Sequence, residues 1–285
     1  MSPSPTGLPR ARGAARIAVA RVDGASRLQD LYQSGCLRLR LPRTGDPAPV
    51  GTLINVAGGL TGGDRLEIAA RVGSEAALTL ATQSAERLYR ASRGRATVDV
   101  RLEVEAGGRL AWLPRETIAF EGAALQRRLR IDLARGARVL GVESWVAGRT
   151  AMGEALLHAD LRDSWRVRID GKLVHAETLQ LPSTQTAQWL ASPAGWNGNR
   201  AIATVLVVAP EAGGLLNAVR ALLGPNDAAD AWEGEHARLV ARLVAPDHLA
   251  LSRRLVPLLA LLNRRGLALG TGDDPHAALP LVWSV

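Results

Sequence analysis

Cysteine occurs once in the 285 residues, at Cys36. No intrachain disulfide can form, and no structural zinc site can be assembled from thiolates. The five histidines are His158, His175, His236, His248 and His276, and none are spaced as His-Glu-x-x-His requires. One phenylalanine and two tyrosines leave few platforms on which nucleic-acid bases stack. Lysine is nearly absent too: Lys172 stands against 34 arginines. No run approaches the ~18 apolar residues that cross a bilayer as a helix. No Gly-x-Ser-x-Gly elbow is present, and Cys36, in Ser34-Gly35-Cys36-Leu37, carries no catalytic signature. The first ten residues are rich in Pro and Ser, and Arg12 and Arg16 interrupt any secretory core. A cytoplasmic protein that does not enter membranes is expected.

A formal charge of +8 remains after these exclusions. The arginines are spread along strand-like segments instead of being clustered, and no zinc-finger or RNA-recognition motif accompanies them. Arginine also suits protein interfaces, where its planar fork pairs with carboxylates. The charge therefore reads as solvated surface plus acidic protein partners, with no nucleic acid expected. A chain of this length can bury roughly 75% of its unfolded surface without a covalent or metal staple.

Periodicity places the first two-thirds in short strands. Thr97–Glu105 alternates polar and apolar throughout, and Ala106-Gly107-Gly108 then turns into Arg109–Leu113, which reads as a hairpin. Trp165–Ile169 alternates as well, and Asp170-Gly171 is the preferred pair for a two-residue hairpin turn into Lys172–Leu181. Further strand signals lie at Leu78–Thr82, Leu129–Leu133, Val139–Val146 and Ala201–Val208. After about residue 208 the pattern becomes mixed. Gly214–Leu223 has helical leucine spacing, and a helix starting near Asp247 runs to Arg265 with Pro257 inside it, where a kink or break is expected. The expected fold is mainly β: stacked antiparallel sheets of many short strands, with a few helices in the C-terminal third. It is read as a single domain over 1–285, with 1–15 a flexible tail, about 16–208 mostly β and about 209–285 mixed. No repeat of solenoid period is apparent.

The densest local signal is Asn55-Val56-Ala57-Gly58-Gly59-Leu60-Thr61-Gly62-Gly63-Asp64. Gly58, Gly59, Gly62 and Gly63 demand a tightly folded backbone. The spacing imitates a phosphate loop, but Asp64 and Arg65 stand where Lys and Ser/Thr belong, so no nucleotide is expected there. Other motifs follow in order: Ala81–Arg90, Trp112–Ile118, Gly148–Glu154 and Asp163–Arg168. Among the carboxylates, Asp64 closes the glycine loop, Glu116 follows Leu113-Pro114, and Glu143 precedes Gly148. Glu154 closes Gly148–Glu154, with Arg149 anchoring that turn, and Glu177 follows the Asp170-Gly171 turn. Each is read either as an ion pair with one of the abundant arginines or a solvated turn, or as a weak oxygen site inside the protein. Trp112, Trp145 and Trp165 are expected between sheets. Trp189, Trp196, Trp232 and Trp283 are expected at interfaces.

This ordered set resembles the urease accessory protein family UreD, also called UreH, from about Leu28 to Trp283. At the C-terminus the chain has Leu279-Pro280-Leu281-Val282-Trp283, with Leu281 where the family often carries arginine. The resemblance implies a maturation scaffold that is not an enzyme. It would bind urease apoprotein, a helical UreF-type adaptor and a UreG-type GTPase, and help deliver nickel to the urease active site. No cofactor is expected to bind tightly, and Ni2+ would pass transiently. Asp64, Glu143 and Glu177 are expected to line that passage, and the apolar C-terminal helices to pack on the adaptor. The alternatives are a hydrolase or isomerase using Glu143 and Glu154, and an Arg-rich nucleic-acid binder.

Overall fold

The computed structural model describes residues 9–42, 48–149, 153–269 and 279–283. The chain opens with β1 (Arg12–Val22), β2 (Ala25–Gly35), β3 (Leu37–Arg40), β4 (Val50–Asn55), β5 (Arg65–Val72) and β6 (Ala77–Thr82). Next come β7 (Glu86–Leu88), β8 (Ala96–Val104), β9 (Arg109–Leu113), β10 (Thr117–Ala119), β11 (Ala124–Leu133) and β12 (Arg138–Ala147). The antiparallel pair β13 (Asp160–Ile169) and β14 (Lys172–Leu181) follows, then a short helix α1 (Thr186–Ala191). The rest comprises β15 (Ala201–Val208), α2 (Leu216–Arg220), β16 (Ala228–Trp232), β17 (Arg238–Ala245) and α3 (His248–Arg265).

Seven strands form one sheet in the order β14-β13-β11-β8-β5-β1-β2. The facing sheet runs β16-β17-β15-β12-β9-β6-β4-β3, and β10 and β7 extend from β12. One core fills the space between the sheets, around Trp112, Trp145 and Trp165. A second core lies behind the larger sheet, where α3 buries Leu251, Leu255, Leu258, Leu259 and Leu262. Mainly-β architecture in stacked sheets, with helices concentrated late in the chain, agrees with the sequence pattern.

The pairing direction does not. The centres of both sheets are parallel: β5, β8, β11 and β13 run side by side in one, and β4, β6, β9 and β12 in the other. Ala106-Gly107-Gly108 does not fold a hairpin. It carries the chain from β8 in one sheet to β9 in the opposite sheet. The connections β5 to β6 and β11 to β12 do the same. Each arch holds one residue at positive φ, namely Glu75, Gly107 and Gly136. Successive arches are joined by the amides of Glu105 to Val72 O, Ala134 to Val104 O, Arg109 to Ala76 O and Arg138 to Gly108 O. Return connections stack as well: Leu60 bridges Leu88, β7 pairs with β10, and β10 with the end of β12, all in parallel. The middle of the chain is thus a short coil of stacked rungs, a repeat that the sequence did not display. Alternation marks one buried face per strand whether a glycine turn folds back within a sheet or crosses to its partner.

Several local expectations also change. Residues 12–15 of the supposed tail belong to β1, paired with β5 through Arg12↔Arg65. Helix α3 continues through Pro257 without a break, and Asp247 caps it by accepting the Ala250 amide at 2.8 Å. Trp196 and Trp283 are buried, whereas Trp189 and Trp232 are exposed. Trp283 donates its indole N–H to Leu113 O at 3.0 Å and lies under the Arg115 guanidinium. The leucines of α3 are spent on the chain's own core, leaving Leu249 and Leu281 exposed at that end. The other expected helix is shorter than its spacing implied, a 3-10 turn at Gly213–Leu215 running into α2. Among the described residues no helix is long and apolar enough to cross a membrane.

Trp283 closes the second core from the far end of the chain. Trp283→Ala is expected to cost about 3–5 kcal/mol, the range for deleting a buried aromatic. Urea denaturation followed by circular dichroism measures it.

Candidate functional site

Strand periodicity of two sets charge inside this molecule. On β11, Leu125, Leu129, Ile131 and Leu133 face the other sheet, and Arg127 is in phase with them. On β13, Asp163 is in phase with Leu161, Trp165 and Val167, and the register sets Arg127 opposite Asp163. Glu143 comes from β12, across the gap between the sheets. Arg127 Nη1 lies 2.5 Å from Glu143 Oε2, and Arg127 Nη2 lies 2.6 Å from Asp163 Oδ2. Trp112 Nε1 donates to Glu143 at 3.0 Å, Trp145 Nε1 donates to Asp163 at 3.1 Å, and Arg127 donates to Thr117 Oγ1 at 3.1 Å. The guanidinium also covers the Trp145 ring, 4.7 Å from its centroid. All three charged side chains are buried.

Two carboxylates share one guanidinium, so negative charge is in excess. Burial pushes the Glu143 carboxyl up to about 7, with Arg127 pulling the other way and Asp163 adding to the rise. Burial works against the Arg127 charge too, but Asp163 and Glu143 more than offset it, and its pKa is raised. Asp163 Oδ1 and Arg127 Nε have no hydrogen-bond partner among the described residues. An orphaned carboxylate oxygen at this depth implies room for water or a cation.

That room exists. A cavity of about 10 Å³, sufficient for one water, is lined by Glu143, Asp163, Glu177, Thr204 and the rings of Trp145 and Trp165. Glu177 on β14 accepts from Thr204 Oγ1 at 3.2 Å and is paired with Arg242. His175 Nε2 lies 3.8 Å from its other oxygen. Burial lowers the His175 pKa, against the pull of Glu177, and so keeps the ring neutral.

On the other side of Arg127 stands Glu86, on β7. Asn55 Nδ2 donates to both its oxygens, at 3.2 and 3.1 Å. Burial raises this carboxyl to about 7, and the charge of Arg127 is among the opposing influences. Glu86 borders a second cavity of about 120 Å³, shared with Asn55, Gly58, Gly59 and Gln83. Glu86 thus borders one cavity and Glu143, Asp163 and Glu177 line another, with Arg127 acting on carboxylates at both.

Of the expected residues, Glu143 and Glu177 meet in one cavity. Asp64 does not. Its two oxygens accept the amides of Ala11 and Thr61, each at 2.8 Å, so it latches the glycine loop to the start of β1. The four glycines serve that same loop. At Gly59 a Cβ would meet Tyr89 and Arg87 O, and at Gly62 it would meet Arg93 O and Gly94 O. Gly58 and Gly63 hold positive φ. Arg149 and Glu154 pair with each other at 2.9 Å on a surface turn, outside the Glu143 cavity. Thr150, Ala151 and Met152 of that motif lie outside the described residues. Glu116 is buried against Arg115 at 3.2 Å. Cys36 is half-buried with its thiol pKa raised by burial, the opposite of an activated nucleophile. Among the described residues, no group of three or more His, Cys, Asp or Glu is arranged to hold a metal ion.

Sequence reasoning missed Arg127, Asp163 and Glu86 as site residues. Two of them carried a usable signal, a charge occurring in phase with the buried positions of an alternating strand. Glu86 carried none, because β7 is too short to show a phase.

The family model described as UreD urease accessory protein matches residues 11–283. Urease accessory protein UreD of Mesorhizobium japonicum is 45% identical over 284 residues, covering 99% of this chain and 97% of that protein. Urease accessory protein UreD 1 of Brucella abortus is 42% identical, covering 98% and 95%. Urease accessory protein UreD of Agrobacterium fabrum is 42% identical, covering 97% and 92%.

Removing Arg127 leaves two buried carboxylates facing each other. Arg127→Leu is expected to destabilise the fold by about 3–5 kcal/mol, and adding Glu143→Gln with Asp163→Asn to recover most of it. Chemical denaturation of the single and triple variants decides. A second expectation concerns pH. Glu86 and Glu143 are raised from 4.5 to about 7, so the folded chain holds protons that the unfolded chain releases. Their contribution to stability is full below the unfolded value and is lost as pH rises through the folded one. Glu86→Gln, neutral throughout, should raise the thermal midpoint at about pH 8 and change it little at about pH 4.

Proposed function

This chain belongs to the UreD family of urease accessory proteins, and on that premise we propose that it serves urease maturation as a non-catalytic scaffold with an internal passage for nickel. In this reading it works in the cytoplasm. It holds urease apoprotein on one side and the UreF-type adaptor, with its UreG-type GTPase, on the other. Ni2+ is cargo and not a resident cofactor.

The observation that carries the reading is the group of buried carboxylates Glu143, Asp163 and Glu177 around one cavity between the sheets. A conduit must bind its ion well enough to admit it and loosely enough to release it. Separated oxygen donors meet that need, whereas a cage of His and Cys would retain the metal. Arg127 supplies positive charge while no ion is present, which lets the carboxylates remain buried. An arriving dication competes for the same oxygens. The aromatic walls of Trp112 and Trp145 hold Glu143 and Asp163 by their N–H groups and restrict where these carboxylates can turn. Paired-carboxylate catalysis loses its geometry here, since Glu154 pairs with Arg149 on the surface and not with Glu143.

Transit requires Glu143 and Glu86 in the charged form, and both titrate near 7. Nickel loading of urease by the complete accessory set should therefore rise with pH across that value. The decisive comparison is urease co-expressed with its accessory proteins and either this chain or its Glu143→Gln/Glu177→Gln variant, scored by nickel content and urea hydrolysis. Loading should fall about tenfold or more while the variant still co-purifies with urease. Full loading by a folded, bound variant would overturn the passage. Full loading without the chain at all would overturn the scaffold.

A further inference from the structure

The outer face of the seven-stranded sheet carries a row of arginines set by register. Arg16 on β1, Ala69 on β5, Arg101 on β8, Arg130 on β11 and Arg166 on β13 lie directly beside one another. Neighbouring strands are about 4.8 Å apart, so Arg101 and Arg130 are like charges in direct opposition, an arrangement that destabilises a sheet.

Several other cations of this face are engaged, whereas Arg12, Arg65 and Arg162 stand exposed on it as Arg101 and Arg130 do. Arg128 pairs with Asp99 at 3.2 Å, Arg71 with Glu105 at 2.7 Å, and Arg168 with Asp132 at 3.9 Å. Arg166 donates to the carbonyls of Trp165 and Glu177, and Arg16 lies over the Tyr32 ring. Arg101 and Arg130 have no ion pair or hydrogen bond among the described residues, and both are exposed. A groove of about 310 Å³ passes over them, with Ala69 contributing to its floor and Glu67 and Asp99 along one side.

We propose that this groove receives the acidic face of a helix from a partner protein, with carboxylates one turn apart seated on Arg101 and Arg130. On a helix, side chains at i and i+4 are ≈ 5–6 Å apart, which matches the strand spacing. On an extended strand, same-face side chains are nearly 7 Å apart and fall out of step. Arginine's planar fork takes a carboxylate in two parallel bonds. A nucleic-acid backbone fits less well. Glu67 and Asp99 would repel its continuous charge, and among the described residues Tyr32 is the one aromatic residue beside the row. This surface lies on the opposite side of the strands from the buried carboxylates, so the inference stands apart from the nickel reading.

Full-length protein would be titrated with a fluorescein-labelled Ala-rich helical peptide carrying Glu at every fourth position. A peptide of the same composition with its Glu residues distributed around the helix serves as control, and an oligothymidine is titrated in parallel. The patterned peptide should bind best, weaken as salt rises, and weaken about tenfold or more in Arg101→Glu/Arg130→Glu. The variant's fold would be checked by thermal melting. Should the reversal unfold the chain, Arg101→Gln/Arg130→Gln replaces it and should melt no lower than wild-type, because it removes a repulsion. Peptide binding indifferent to the variant, or equal binding of the control peptide, would overturn the proposal. Tighter binding of oligothymidine than of the patterned peptide, lost in the same variant, would make the face a nucleic-acid surface and overturn it equally.

Discussion

The clasp of Arg127 on Glu143 and Asp163 is the constraint around which the interior is organised. A buried ion pair gives up much of its attraction to desolvation, and replacing such groups with well-packed apolar residues is often neutral or stabilising. The fold here places a guanidinium and two carboxylates beside the tryptophans of its core. Trp112 turns its indole N–H to the Glu143 oxygen that Arg127 does not reach, and Trp145 adds a second donor to the Asp163 oxygen that Arg127 already holds. Stability alone gives no reason for this choice. The proposed passage would require the same oxygens to be present, buried and only provisionally occupied.

The rungs explain how strands distant in sequence bring these groups together. Arg127 and Asp163 come from parallel neighbours in one sheet, and Glu143 from the sheet opposite. In a hairpin stack, Trp112 and Glu143 would share a sheet with the strands just before them and face the same way. Because the Glu105–Gly108 and Ala134–Ala137 connections cross between sheets, successive strands turn their buried faces toward each other. The interior then receives contributions from β8, β9, β11, β12 and β13 in turn. The glycine loop completes this frame at the other end. Leu60 bridges to β7, and Asp64 fixes the loop to the first strand.

Much of this was legible in the sequence, and what was not has a physical reason. Strand positions from Thr97 to Val208 and the Asp170-Gly171 hairpin followed from alternation and turn chemistry. Asp170 and Gly171 both hold the positive φ that such a turn requires. Pairing direction was not legible, because alternation records burial and not the identity of the neighbour. Glu143 and Glu177 were found as carboxylates near turns, and the structure brings both to one cavity. Asp64 sat in the most conspicuous motif and is a latch, since a glycine-rich turn ending in Asp supplies amides for its own carboxylate. Trp283 looked like a terminal, interface-type residue. Only tertiary structure could reveal that the Leu113 carbonyl and Arg115 wait for it.

The segment Gln126-Arg127-Arg128-Leu129-Arg130 shows how one strand separates two tasks. Side chains on β11 alternate between faces, so Arg127 enters the core while Arg128 and Arg130 stay outside. A register slip of one residue would put two arginines inside and expose the partner of Glu143 and Asp163. It would also break the ladder from Asp99 to Arg128. The interior clasp therefore helps to fix the register that lines up the outer row. The parallel neighbours β8 and β13 fix it from both sides. Inner and outer charge are coupled through backbone register.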